Sequence, residues 1–198
     1  MEDFVKETEG IYRLKVAFET LYTSVFLVET TLGPVMVDTA TGAGDVKDSI
    51  LPALERHGLK LNDLYAIVLT HSHEDHSGGL EYILSLAPQM KVITEVCDLG
   101  EGVSLYALPG HMTECIGVLD ERTHTLITGD GLQGAGIDAY RTYVEDKEGY
   151  LQTIRKIEED ERIENILFAH AYEPWYKNCM MGRAAVLDCL KDCLKYVS

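Results

Sequence analysis

Runs of β-branched and aromatic residues open the chain at Ile11 to Phe18, Ser24 to Glu29 and Val35 to Val37, the last following the turn signal Leu32-Gly33-Pro34. This pattern predicts an antiparallel meander. From Asp45 to His57 the apolar positions Val46, Ile50 and Leu54 change to helical spacing, with Gly58 as the stop. Leu64 to Leu69 is a continuous apolar run of strand length that ends at Thr70 and a cluster of histidines, and Gly79 to Leu86 predicts a short helix before Pro88.

The second half follows a similar plan. Lys91 to Val96, Val103 to Leu108, Cys115 to Leu119 and Thr125 to Thr128 predict strands; Glu148 to Glu158, with Leu151, Ile154 and Ile157, predicts a helix. Asn165 to Ala169 predicts a strand, and Gly182 to Val197 a terminal helix with Val186, Leu190, Cys193, Leu194 and Val197 facing inward. The halves share a detail: Val25 to Val28, a turn, and Val35 to Val37 lead into Asp38, as Ile116 to Leu119, a turn, and Thr125 to Thr128 lead into Asp130. With no Pro-, Ser- or Gly-rich linker between them, the expectation is one domain, 1–198, made of two fused half-domains of about 1–90 and 91–198.

Composition narrows the class. With 198 residues, 46% hydrophobic, 25% charged, 17 Gly and 5 Pro, the chain is globular rather than disordered or fibrous. A formal charge of −16 repels polyphosphate backbones and anionic bilayers, so neither nucleic acid nor a membrane surface is an expected partner. Met1 to Glu7 lacks a basic stretch and an apolar core, no apolar run reaches membrane-spanning length, and five cysteines without a CxxC pair argue against a disulfide framework. The expected location is the cytoplasm. Cys189 and Cys193, one helical turn apart, read as small core residues.

The chemistry is concentrated in His71-Ser72-His73-Glu74-Asp75-His76, directly after a predicted strand and before Ser77-Gly78-Gly79. Imidazoles and a carboxylate crowded into one loop suit a divalent metal with N and O ligands, whereas a plain surface turn would leave three imidazoles without a role. His111, Asp130 and His170 each follow another predicted strand, where α/β sheets place their ligands. Five of the seven histidines therefore gather at strand ends, while His57 closes a helix and His124 lies in a turn, both read as surface residues.

These motifs resemble the metallo-beta-lactamase superfamily, in particular its binuclear metallohydrolases of the glyoxalase II type: Val37-Asp38-Thr39, the THxHxDHxGG motif from Thr70 to Gly79, Pro109-Gly110-His111, Gly129-Asp130 and His170 occur in the family's order. The resemblance implies an α/β fold of the four-layer αββα sandwich type, with two divalent metal ions, zinc expected and iron or manganese as alternatives. It implies His71, His73 and His111 at the first metal, Asp75, His76 and His170 at the second, Asp130 bridging them, and Asp38 orienting ligands without binding metal. A bridging water whose pKa falls towards ~7 is then the expected nucleophile for cleaving an ester, thioester, lactone or phosphodiester bond of a small molecule, with Asp75 and Asp130 as the catalytic carboxylates.

Alternatives from the same superfamily are an iron-dependent redox protein resembling the persulfide dioxygenases and a catalytically silent metal-binding domain. Met112-Thr113-Glu114-Cys115, after His111, departs from the family pattern, and the short stretch after His170 gives no particular support to a glutathione thioester. For the substrate pocket, the Gly-rich segment after Asp130, with Gln133, Tyr140 and Arg141, and the aromatic group of Tyr172 and Trp175 after His170 are the candidates. The competing reading of those aromatics is a cap on the core beneath the terminal helix.

Overall fold

A computed structural model describes residues 2–18, 21–132, 143–171 and 177–197. The chain divides into two compact units, Met1–Thr94 with Leu99–Glu101, and Glu95–Asp98 with Gly102–Ser198.

The first unit is built on a six-stranded sheet whose spatial order follows the sequence: β1 (Val5–Thr8), β2 (Ile11–Phe18), β3 (Leu21–Val28), β4 (Val35–Val37), β5 (Ala66–Val68) and β6 (Val92–Ile93). The predicted meander is present, with β2 antiparallel to β3 and β3 to β4, and β1 adds an antiparallel edge strand that the sequence pattern did not indicate. Strand pairing then becomes parallel, β4 to β5 and β5 to β6, because helices carry the chain back between these strands.

The predicted helix from Asp45 to His57 is a helical run over 43–56, here α1, made of Ala43–Asp45, a π turn at Val46–Ile50 and Leu51–Arg56. It is followed after β5 by α2 (Glu74–Ser77) and α3 (Leu80–Leu86). Val46, Ile50 and Leu54 join Leu14, Val16, Val25, Leu27, Met36, Ile67 and Ile83 in one buried cluster, so the helical stripe meets alternate residues of the sheet. Many of the intervening residues of the sheet are buried as well, among them Arg13, only 1% exposed, whose guanidinium bonds to Glu7 and Ser24 and lies 4.6 Å from the centre of the Phe26 ring.

The second unit has a five-stranded sheet in the order β11 (Cys179–Met181), β10 (Asn165–Leu167), β9 (Thr125–Ile127), β8 (Ile116–Asp120) and β7 (Val103–Ala107). Its helices are α4 (Lys147–Glu159) and α5 (Arg183–Val197). Tyr150, Ile154 and Ile157 of α4 and Val186, Cys189, Leu190, Cys193 and Val197 of α5 share a core with Leu119, Leu126, Ile166 and Phe168, so both cysteines are the core residues expected. The Asp146 side chain caps α4 by accepting a hydrogen bond from Gly149 N–H.

The two sheets repeat one device. In the first, β3 and β4 form an antiparallel hairpin and β5 runs parallel beside it; in the second, β8, β9 and β10 do the same. Asp38 follows β4 as Asp130 follows β9, and His71 comes three residues after Val68 as His170 comes three after Leu167. The strand pairing beside Asp38 is thus the same as that beside Asp130.

Candidate metal centre

In the first unit the ligand candidates are arranged around Asp38. The left-handed backbone of Asp38, φ 65°, is sparsely populated for residues other than glycine, and its N–H bonds to the Val68 carbonyl across β4 and β5. This turns its carboxylate, 1% exposed as a residue, onto the segment after β5. Oδ1 accepts from the Thr70 N–H at 2.8 Å; Oδ2 accepts from the Thr70 hydroxyl at 2.9 Å and faces His76 Nδ1 at 2.7 Å.

His73 immediately precedes α2, so Asp75 and His76 stand on a single helical turn rather than on a loop, with Asp75 Oδ2 3.3 Å from His76 Nε2. His71 Nε2 lies 3.1 Å from His73 Nδ1, and the His71 and His76 rings are 4.2 Å apart between centroids. The turn is clamped from behind: Thr39 donates to the His76 carbonyl from both its N–H (2.7 Å) and its hydroxyl (3.0 Å). A Cβ at Gly79 would lie 2.2 Å from the Thr39 carbonyl oxygen and one at Gly78 2.1 Å from that of Thr41, which explains the glycine pair after the histidines.

In the second unit the three candidates meet on Asp130. Its Oδ1 is 3.3 Å from His170 Nε2 and its Oδ2 3.7 Å from His111 Nε2, so one carboxylate directs one oxygen to each imidazole. All three residues are buried. His111 Nδ1 lies 2.7 Å from the Tyr143 carbonyl oxygen, and the loop around it is pinned by Glu145 N–H to the His111 carbonyl and Asp146 N–H to the Gly110 carbonyl. The Met112 to Cys115 turn, which departs from the family pattern, is tied to the same segment by Thr113 N–H donating to the Glu145 side chain.

These contacts place a proton on Nδ1 of two rings. A carbonyl oxygen only accepts, so His111 donates from Nδ1, which leaves Nε2 to face Asp130 Oδ2. By the same logic His76 Nδ1 donates to Asp38, and Nε2 is directed at Asp75. An Nε2 atom facing a carboxylate oxygen needs a proton or a metal cation between them, and imidazoles with carboxylates are the donor set that zinc, iron and manganese accept. The residues present therefore fit divalent metal ions.

Thr39, Thr70 and the Tyr143 carbonyl complete the picture. Thr70 is part of the sequence motif but carries no signal of its role, and a main-chain carbonyl leaves no sequence signal. Of the histidines read as surface residues, His124 is exposed in a turn, whereas His57 is partly buried edge-on against Phe4 and Tyr12. The substrate candidates Gln133, Tyr140, Arg141, Tyr172 and Trp175 lie outside the described residues. Among the described residues no helix is long and apolar enough to cross a membrane.

Comparison with known proteins agrees with this chemistry. Residues 19–95 match the family model of the metallo-beta-lactamase superfamily. The thioesterase pkgB of Emericella nidulans is 30% identical over 147 residues, 67% of this chain and 41% of that protein. An atrochrysone carboxyl ACP thioesterase of Aspergillus fumigatus is 24% identical over 154 residues, 69% of this chain and 47% of that protein. The matched segments thus span less than half the length of these relatives. The metallo-beta-lactamase FIM-1 of Pseudomonas aeruginosa, solved in its mono-zinc form, superposes with a TM-score of 0.73 at 17% identity, covering 99% of this chain and 96% of that one, which shows the shared fold. Together the family match, the thioesterase relatives and the common fold place this chain in the metallo-beta-lactamase superfamily.

Proposed function

We propose that this chain is a metal-dependent hydrolase of small acyl thioesters or related esters, its two ligand sets closing on a common pair of divalent ions. In this reading His71, His73 and His111 hold one ion, Asp75, His76 and His170 the other, and Asp130 bridges them. Zinc is the expected metal. The observation that carries the proposal is the placement of Asp130, with one oxygen towards His111 and the other towards His170. A monodentate role would need only one of them.

Two divalent ions bound there supply Lewis acidity for a carbonyl oxygen and lower the pKa of water towards ~7. The protein's part is positioning and proton transfer. Asp38 and the Tyr143 carbonyl hold His76 and His111 with Nε2 as the ligand atom, so neither ring must reorient during turnover. Asp75, whose Oδ2 lies 3.3 Å from His76 Nε2, is the carboxylate that would accept the proton given up by the attacking water. Tyr143, a large exposed ring beside His111, provides an apolar wall for the acyl group. The thioester preference follows the two thioesterase relatives, and the −16 charge favours a small-molecule substrate over a polyanion.

The test is elemental analysis of protein purified without added metal, followed by parallel assays of aryl ester, acyl thioester and lactone hydrolysis and of oxygen consumption. Two divalent ions per chain with thioester hydrolysis abolished by a chelator is the expected result. A single iron with thiol-dependent oxygen uptake would replace this reading by the redox one. Metal binding without turnover on any substrate would favour the catalytically silent domain.

A further inference from the structure

Thr70 is buried two residues beyond β5 and touches three functional groups at once. Its N–H donates to Asp38 Oδ1 at 2.8 Å, its hydroxyl oxygen lies 2.9 Å from Asp38 Oδ2, and the same oxygen lies 3.1 Å from His71 Nδ1 and 3.4 Å from His76 Nδ1. The hydroxyl has one proton, and an ionised carboxylate can only accept, so that proton goes to Asp38. Towards the histidines the Thr70 oxygen then acts solely as an acceptor. His76 Nδ1 is already committed to Asp38 Oδ2 at 2.7 Å, which leaves His71 Nδ1–H as the donor to Thr70. With Nδ1 protonated, His71 presents its Nε2 lone pair, the atom 3.1 Å from His73.

We propose that Thr70 is a positioning residue which relays the Asp38 carboxylate to His71 and so fixes the tautomer of that ring. One buried carboxylate then sets two histidines, His76 directly and His71 through the threonine hydroxyl. This deepens the hydrolase reading, in which His71 and His76 serve different ions: the Asp38–Thr70 pair prepares both sites from one point on the chain. The left-handed turn at Asp38 has a purpose in this arrangement, because it lets both carboxylate oxygens face the segment that follows β5.

The competing role for Thr70 is packing alone, and two substitutions separate them. Thr70→Val keeps the shape and removes the hydroxyl; Thr70→Ser keeps the hydroxyl and removes the methyl. In metal-free protein labelled with 15N-histidine, two-bond 1H–15N correlation spectra read the tautomer of each ring. Wild type and Thr70→Ser are expected to show His71 protonated at Nδ1, and Thr70→Val to lose that preference, with His76 unchanged in all three. By chelator competition, Thr70→Val should bind zinc roughly 10–100-fold more weakly and Thr70→Ser within about threefold of wild type. An unchanged His71 tautomer in Thr70→Val, or equal losses in the two variants, overturns the proposal. Absence of zinc binding by wild type would overturn the hydrolase reading instead, and the tautomer spectra would still decide the role of Thr70.

Discussion

The Nδ1 of His111 lies 2.7 Å from the main-chain carbonyl oxygen of Tyr143, while the Tyr143 ring, 58% exposed, stands edge-on to the same imidazole at 5.8 Å between centroids. Backbone and side chain of one residue thus serve separate ends. Tyr143→Ala keeps the carbonyl and should leave metal content at the wild-type level. It should lower kcat/KM for a thioester with a bulky acyl group by about tenfold, the equivalent of roughly 1.4 kcal/mol of lost aromatic contact. Metal analysis beside steady-state kinetics checks both halves, and a loss of metal would show that the ring itself supports His111.

Asp38 receives hydrogen bonds from Thr70 N–H, the Thr70 hydroxyl and His76 Nδ1–H, all donors. In Asp38→Asn one oxygen becomes an NH2 group that must face at least one of these donors. The fold should persist, since the two residues have the same shape, but zinc affinity measured by chelator competition should fall roughly 10–100-fold. An unchanged dissociation constant would remove Asp38 from the metal site.

The parts of this site that could be read in the sequence are those carried by side-chain identity at strand ends. The His71 to His76 cluster, Asp38, Asp130 and His170 all lie just beyond strands that the apolar runs marked in advance. Short elements with no apolar alternation were not legible: β1 is Val-Lys-Glu-Thr with Val5 and Lys6 exposed, and β11 has only three residues. Nor was the packing of His57 against Phe4 and Tyr12, since His57 is far from both in sequence and meets them only when α1 lies on the sheet. The bond from His111 to Tyr143 is invisible for another reason: every residue has a carbonyl, and only the path of the chain decides which one is used.

Gly79 packs its α-carbon against the Thr39 turn, with the site for a Cβ 2.2 Å from the Thr39 oxygen and 2.6 Å from a Val46 methyl. The closer obstacle is backbone, so it cannot rotate away. Gly79→Ala should cost about 1–3 kcal/mol of stability, the range for overpacking, and should also weaken metal binding by moving the His76 turn off Asp38. Gly44, with nothing within 4 Å of its Cβ position, is the control: Gly44→Ala should be neutral or stabilising by up to about 1 kcal/mol. Urea midpoints of both variants against wild type decide this, and equal midpoints would show that the Thr39 turn yields at little cost.

Asp130 leads to the prediction with the most at stake, the number of metal ions. A tetrahedral zinc site takes four ligands, and seven candidates are more than one such site needs. Because Asp130 directs Oδ1 to His170 and Oδ2 to His111, losing its carboxylate should loosen both ions, whereas losing one histidine should release only one. Wild type titrated with zinc should therefore saturate at about two equivalents, as two four-coordinate sites sharing a ligand require. His170→Ala should retain one tight equivalent, and Asp130→Ala should bind both weakly. Hydrolysis should fall by roughly 100-fold or more in each variant, the scale expected when electrostatic stabilisation of the transition state is removed. Saturation of the wild type at one equivalent, with either Asp130→Ala or His170→Ala fully active, would leave a single-metal site and exclude the bridging role.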